Sequence, residues 1–432
     1  MTSFLTPYFK MCLKLMVRIR LKHACTTVGI IFILDFFGVF THLFEVSFDD
    51  SFIYPYEGDI HEFIVALRQN QKPNVPPIND HNFTFIHDIK DKCIEPSFQT
   101  LRVVFLIKSA VENYNRRMAI RNSWGFEKRF SDVPLKTVFL LGTHINDNEL
   151  LNKINFESLV YHDIVQADFL DTYYNNTIKT MMGFKWAVKY CANSKFYMFV
   201  DDDIYISVKN VLRFLRNPVL YPDYLKDTIK LKDVEHLRNR FKRSGSNVTK
   251  NPFVQQNLLL NNYNETMNPK YVSENTNDKT IIMVKRNLES KNVKKRQVFD
   301  FELPDDVRLF AGFVFNSSPH RYKSSKWYVS LKEYPYNMWP PYITAGVYIL
   351  SKEALMDMYY ASMYTKYFRF DDIFLGIAAR KVDIEPFHCD EFHFYKKDYT
   401  KYNYKYVISS HGYSNPDELL AVWNEQKAMG NA

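Results

Sequence analysis

The chain has 432 residues and a mass of 51.4 kDa, room for one large or two ordinary domains. Apolar residues make up 46% and charged residues 24%, which excludes wholesale disorder, and only 12 glycines exclude collagen and argue against a Gly-rich nucleotide loop. The net charge of +8 sits in residues 225–300, with 16 Lys+Arg against 8 Asp+Glu, leaving 40 of each elsewhere, so the basic character marks one polar segment and not a nucleic-acid face. Residues 1–23 carry Lys10, Lys14, Arg18, Arg20 and Lys22 and no acid. Residues 24–44 are mostly apolar over 21 positions, about the length that spans ~30 Å of hydrocarbon, with Asp35 as the one costly residue. Basic flanking on the N-terminal side predicts an uncleaved signal anchor with the rest of the chain in the lumen.

Five triplets fit the N-glycosylation acceptor pattern expected there, at Asn82, Asn175, Asn247, Asn264 and Asn316. Cys93, Cys191 and Cys389 follow the anchor, enough for at most one internal disulfide and a leftover thiol. Residues 45–97 read as a stem, with Pro73, Pro76 and Pro77 and little periodicity. From 98 the pattern changes. Apolar runs at Leu101–Ile107, Val138–Gly142 and Phe196–Val200 alternate with helical spacing, notably Asn176–Cys191. That alternation predicts an α/β fold on a mostly parallel sheet. Residues 225–300 read as a dispensable surface insertion, and strand and helix patterns return over 309–428.

Three features carry chemistry. Asp201, Asp202 and Asp203 follow the run Phe196–Val200, which places acids at the carboxyl edge of a parallel sheet, where ligands bind in open α/β folds. Strand alternation sends Asp201 and Asp203 to one side and Asp202 to the other. Two carboxylates on one side suit a hard divalent ion that clamps a diphosphate; a solvated acidic turn is the plain alternative. Asp371 and Asp372 open an apolar helical stretch, either as a charge complement to the helix N-terminus or with one of them as a general base. The helix N-terminus is expected to keep Asp372 ionised. His411 follows a β-like run, Tyr406–Ser410, and precedes a turn, a place from which it can reach a metal.

The chain resembles glycosyltransferase family 31, the inverting β1,3-glycosyltransferases of the Golgi. The resemblance rests on ordered blocks: Arg117-Met-Ala-Ile-Arg121-Asn-Ser-Trp124-Gly, Val138-Phe-Leu-Leu-Gly142, Asp168-Phe-Leu-Asp171-Thr-Tyr173 through Lys179-Thr, Asp201–Asp203, Lys326-Trp327, Trp339-Pro-Pro-Tyr342 through Gly346, and Asp371-Asp372-Ile-Phe-Leu-Gly376. The ending from His388 resembles the Brainiac branch. The resemblance implies a Rossmann-like GT-A transferase domain over 98–428 on a single-pass type II Golgi anchor. It implies Mn²⁺ held by Asp201, Asp203 and His411 on the diphosphate of UDP-Gal or UDP-GlcNAc, and Asp372 as the base acting on the 3-hydroxyl of a glycolipid or glycoprotein acceptor. Arg117, Arg121, Trp124, Asp201 and Asp202 would face the donor; Trp327, Trp339, Tyr342, Gly346 and Asp371 would face the acceptor. Asp371 stands where most members have Glu, and Ile343 where many have a Cys, which leaves the disulfide pairing open. A catalytically silent glycan-binding relative would lack the metal acids, and a phosphohydrolase would need more ligands near Asp203. The donor sugar and the oligomeric state stay open.

Overall fold

The computed structural model describes residues 21–144, 147–226 and 302–432. The expected insertion and the acceptor sites Asn247 and Asn264 thus lie almost wholly or wholly outside the described residues. The chain divides into two compact units. One comprises Met1–Tyr205, Arg308–Tyr399 and Ser409–Glu425, the other Ile206–Val307, Thr400–Ile408 and Gln426–Ala432.

The first unit is built on an eight-stranded sheet. In chain order its strands are β1 (Phe85–His87), β2 (Leu101–Lys108), β3 (Leu135–Thr143), β4 (Ile164–Leu170) and β5 (Ser194–Asp201). After a short strand β6 (Ile204–Ile206) come β7 (Phe310–Phe315), β8 (Tyr342–Ser351) and β9 (Phe387–His388). The spatial order is β1-β4-β3-β2-β5-β8-β7-β9. Strands β4, β3, β2 and β5 run parallel, as the apolar runs predict. Beyond β5 the sheet turns antiparallel, with Phe199 opposite Tyr348 and Gly312 opposite Tyr348. Six of the eight strands thus point one way and β1 and β8 run against them, so the sheet is mixed but mostly parallel. Strand β8 is reversed because it returns from β7 through the connection over 316–341, which strand composition does not report. Because β8 enters at the edge where β5 leaves, its first residues lie beside the acid triplet.

Helices α1 (Leu21–Phe36), α2 (Tyr114–Arg121), α3 (Asn148–Tyr161), α4 (Asn176–Tyr190), α5 (Val208–Arg216), α6 (Lys352–Met363), α7 (Asp371–Lys381) and α8 (Pro416–Ala428) complete the main elements. Phe184 of α4 stacks on Phe199 of β5 at 4.8 Å, and Phe199 on Tyr348 at 5.1 Å, so helix, parallel strand and antiparallel strand share one core. Short strands β10 (Phe392–His393) and β11 (Ser409–His411) pair in parallel and present His411.

The segment expected as a stem contributes to this core. Tyr54, Ile60, Ile64 and Ile89 are buried, β1 pairs with β4, and a disulfide joins Cys93 to Cys191 with Cα atoms 5.3 Å apart. Cys389 stays a buried free thiol. Ile60, the N-cap of a short helix over His61–Arg68, and Phe63, Ile64 and Leu67 within it stand at helical spacing, a pattern the sequence reading passed over. The stretch 24–44 is also divided. Helix α1 has 16 residues and ends before Gly38, whose φ of 78° suits a residue without a Cβ. Added there, a Cβ would lie 2.6 Å from the Arg321 carbonyl oxygen. Asp35, the costly residue in this stretch, pairs with Lys323 at 2.6 Å. Among the described residues no helix is long and apolar enough to cross a membrane.

In the second unit, the Ser207 hydroxyl caps α5 by accepting from Asn210 N at 3.1 Å, and Asn210 donates to the carbonyls of Lys405 and Val407.

Candidate active site

Strand β2 ends in a lysine. Register pairs Lys108 with Asp201, and the Lys108 ammonium lies 3.0 Å from Asp201 Oδ1 and 3.0 Å from Asp371 Oδ2. It also donates to the Ala345 carbonyl at 2.8 Å. Burial works against its charge, but the two carboxylates outweigh burial and hold its pKa above the ordinary lysine value. Asp371 Oδ2 accepts a further bond from Thr180 of α4 at 2.9 Å. The acid triplet and the acid pair, 168 residues or more apart in the chain, thus share one buried cation.

The triplet splits as alternation predicts. Asp202 is buried and accepts from Ser109 Oγ at 2.7 Å, Asn113 Nδ2 at 2.9 Å and Arg116 Nη1 at 2.9 Å. Asp203 Oδ1 lies 3.5 Å from His411 Nε2. A cavity of about 140 Å³ is lined by Asp201, Ile204, Thr344, Gly346, Val347, Phe394 and His411. A Cβ on Gly346 would sit 3.7 Å from Asp201 Oδ2 and 3.8 Å from His411 Cδ2, so glycine here keeps the space between acid and imidazole open. The buried Thr344 hydroxyl, also on this cavity, has no hydrogen-bond partner. Two carboxylates and an imidazole form a donor set that suits a divalent ion such as Mn²⁺. Among the described residues no group of three His, Cys, Asp or Glu side chains is gathered on one point, so further ligands would have to come from the substrate.

Asp371 and Asp372 form the first turn of α7. Asp371 is buried and engaged as above. Asp372 Oδ1 accepts from the Ile373 amide, at 2.8 Å. Burial, and then the Asp371 charge, push its carboxyl up to about 7. This corrects the expectation that the helix N-terminus keeps it firmly ionised. The amide bond does favour the anion, but desolvation and a like charge outweigh it. A carboxyl near 7 suits a general base, which must both accept and release a proton.

Arg117, Arg121 and Trp124 lie away from the cavity. Arg117 is fully buried and grips Glu157 with two bonds, at 2.8 and 2.7 Å, while donating to the carbonyls of Ala110 and Val111. Arg121 makes two 2.8 Å bonds to Asp163 and one of 2.7 Å to Glu157. Trp124 is buried beside Phe105. Arg117 fixes the loop that presents Ser109 to Asp202. Arg116 is the arginine of α2 that reaches Asp202, and it also bonds the Ser414 carbonyl at 3.1 Å. Lys108, Thr180 and Arg116 are absent from the sequence reading. The one available signal was a lysine closing the apolar run LRVVFLI.

Of the acceptor-side candidates, Trp339 is buried against Tyr334, centroids 4.0 Å apart. Trp327 is exposed and donates its indole N–H to Tyr173 Oη at 3.1 Å. Tyr342 is half-buried, and the Asp372 charge contributes to raising its phenol pKa after burial, the main cause. Asn82 and Asn316 are exposed; Asn175 donates to the Leu170 carbonyl at 2.8 Å, and Thr177 of that triplet is buried.

A family model described as "Galactosyltransferase" matches residues 115–302 and 282–390. The chain is 36% identical over 404 residues to beta-1,3-galactosyltransferase brn of Drosophila melanogaster, covering 93% of this chain and 95% of that one. The chain belongs to glycosyltransferase family 31, on its Brainiac-like side. It is a β1,3-glycosyltransferase. Human beta-1,3-galactosyltransferase 1 is 27% identical to the enzyme over 353 residues, 82% of this chain and 81% of that one. Human lactosylceramide 1,3-N-acetyl-beta-D-glucosaminyltransferase is 26% identical over 387 residues, 88% and 78%. Among solved structures, the apo WbbM bifunctional glycosyltransferase overlaps 78% of the enzyme and 46% of its own chain, with a TM-score of 0.30 and 11% identity, a likeness that carries no functional weight.

Proposed function

We propose that the enzyme transfers galactose or N-acetylglucosamine from a UDP-sugar to the 3-hydroxyl of a glycolipid or glycoprotein sugar, with inversion, on a GT-A-type domain. The observation that carries this reading is Lys108, which draws the acid triplet and the Asp371–Asp372 pair to one sheet edge. Asp372 takes the proton of the acceptor 3-hydroxyl as that oxygen bonds to the anomeric carbon. The bond from that carbon to the UDP oxygen breaks on the opposite face, so an α-linked donor gives a β product. Asp203 and His411, with Asp201 across the cavity, would hold Mn²⁺, which would supply positive charge to the diphosphate. Lys108 holds Asp371 in place beside the base. The 24–44 stretch with its basic flank supports a type II Golgi anchor with the site in the lumen. Incubation of the purified enzyme with UDP-Gal, UDP-GlcNAc and UDP-GalNAc separately, with Mn²⁺ and a panel of β-glycosides, tests this. A β1,3-linked product from one donor is expected. Transfer to a hydroxyl other than O3, or retention of the α configuration, would reject it.

A further inference from the structure

The cavity beside the acid triplet has one aromatic wall. Phe394, which lines it, is 40% exposed. Its ring lies 4.6 Å from Phe313, 4.9 Å from Phe315 and 5.1 Å from Tyr395, itself 52% exposed. Phe315 stacks on Tyr342 at 5.9 Å with 20° between the rings. Register between β7 and β8 places Phe315 directly opposite Tyr342, so the stack is set by the sheet and not by a mobile loop. Tyr342 packs on α7 at Gly376, where an added Cβ would lie 2.7 Å from the tyrosine Cβ. Gly376 follows Asp372 by four residues, which puts both on one helix face. The ridge of rings therefore runs from the acid cavity to the carboxyl read as the base.

Core packing accounts for the covered faces of Phe315 and Tyr342, both half-buried, but not for an exposed Phe394 on the acid-lined cavity or for the exposed Tyr395 beside it. A large flat apolar face beside a few polar groups is the usual make-up of a small-molecule site. Among sugar faces, the C–H side of a pyranose is the surface that complements such rings, and none of the five rings carries a charge. We infer that Phe394, Phe315 and Tyr342 seat the acceptor: a neutral hexopyranose lays its C–H face on this ridge, which turns its 3-hydroxyl toward Asp372. This inference rests on the reading of Asp372 as the base.

Two-substrate initial-rate kinetics, with methyl β-galactoside and methyl β-N-acetylglucosaminide as acceptors, test it. Phe394→Ala is expected to raise the acceptor KM at least about tenfold while the donor KM moves by less than about twofold. Phe394→Tyr, which keeps the ring, is expected to stay near wild type and serves as the folding control. Saturation-transfer NMR on the same glycosides reads the contact without turnover, and the ring-proton signals should be lost in Phe394→Ala. An unchanged acceptor KM, a rise confined to the donor KM, or no ring-proton saturation from either glycoside on the wild type overturns the seat. An inactive Asp372→Asn alongside an unchanged acceptor KM removes the seat alone. A fully active Asp372→Asn removes the base assignment beneath it.

Discussion

Lys108 and Asp201 are register partners on adjacent parallel strands, and the lysine holds Asp371 at the same 3.0 Å distance as its partner. One ammonium thus balances two carboxylates that stand 170 residues apart in the chain. Without it, two acids would share a buried space with no counter-charge, which costs far more than an exposed pair.

Lys108→Met should lower stability by about 3–5 kcal/mol, the usual cost of breaking a buried pair. It should also cut transfer sharply, because Asp201 and Asp371 would both lose the partner that positions them. Denaturant unfolding measures the first effect and steady-state kinetics the second. A midpoint equal to wild type would show that the pair is not buried in solution.

Removal of divalent ions should abolish transfer, and Mn²⁺ should restore it. Asp203→Ala should lose ion-dependent UDP binding in calorimetry while unfolding at nearly the wild-type temperature. Full activity in excess EDTA would exclude the metal role of Asp203 and His411.

Asp372→Asn should lower kcat by at least ~10², since the amide keeps the shape but cannot accept the proton. Asp371→Asn should act mainly on stability, because Asp371 is occupied by Lys108 and Thr180. In the wild type, kcat/KM should rise with pH up to about 7 and level off above, following the Asp372 carboxyl. A rate independent of pH from 5 to 8, at about the same ionic strength, would remove Asp372 as the base.

The same carboxyl predicts a stability signature. Its folded-state pKa is raised from 3.8 to about 7, so the folded chain keeps a proton that the unfolded chain releases in that window. Stability from this group is full below the lower value and is lost as pH rises through the upper one. Asp372→Asn mimics the protonated form. It should therefore melt above wild type at pH ~8, and the gap should shrink at pH ~5. An equal gap at both pH values would mean that the carboxyl is not desolvated.

Arg117→Met should destabilise the fold by about 1.5–3 kcal/mol, because Glu157 loses both Arg117 bonds and is left to Arg121, with little effect on donor KM in the fraction that stays folded. A large rise in donor KM at unchanged stability would return Arg117 to the donor site.

The apolar runs at Leu101–Ile107 and Phe196–Val200, the acids after the second run and the acids opening α7 were all legible, because each is a local pattern whose meaning lies in a few neighbouring residues. Family membership was legible for the same reason, being an ordered set of such patterns. The reversal of β8 was not, because strand direction depends on how the chain returns from β7 over 316–341 and not on the strand itself. Nor could the sequence tell Arg116 from Arg117. Adjacent residues on a helix point about 100° apart, and only the neighbours decide which one faces Asp202 and which one Glu157. Lys108 meets Asp371 across 263 residues, and the carboxyl of Asp372 is set by what surrounds it. Sequence determined which groups are present and roughly where on each element they stand. Tertiary structure decided their charge states and partners, because Coulomb energy and desolvation depend on distance and burial, which arise only when strands and helices distant in the chain are packed together.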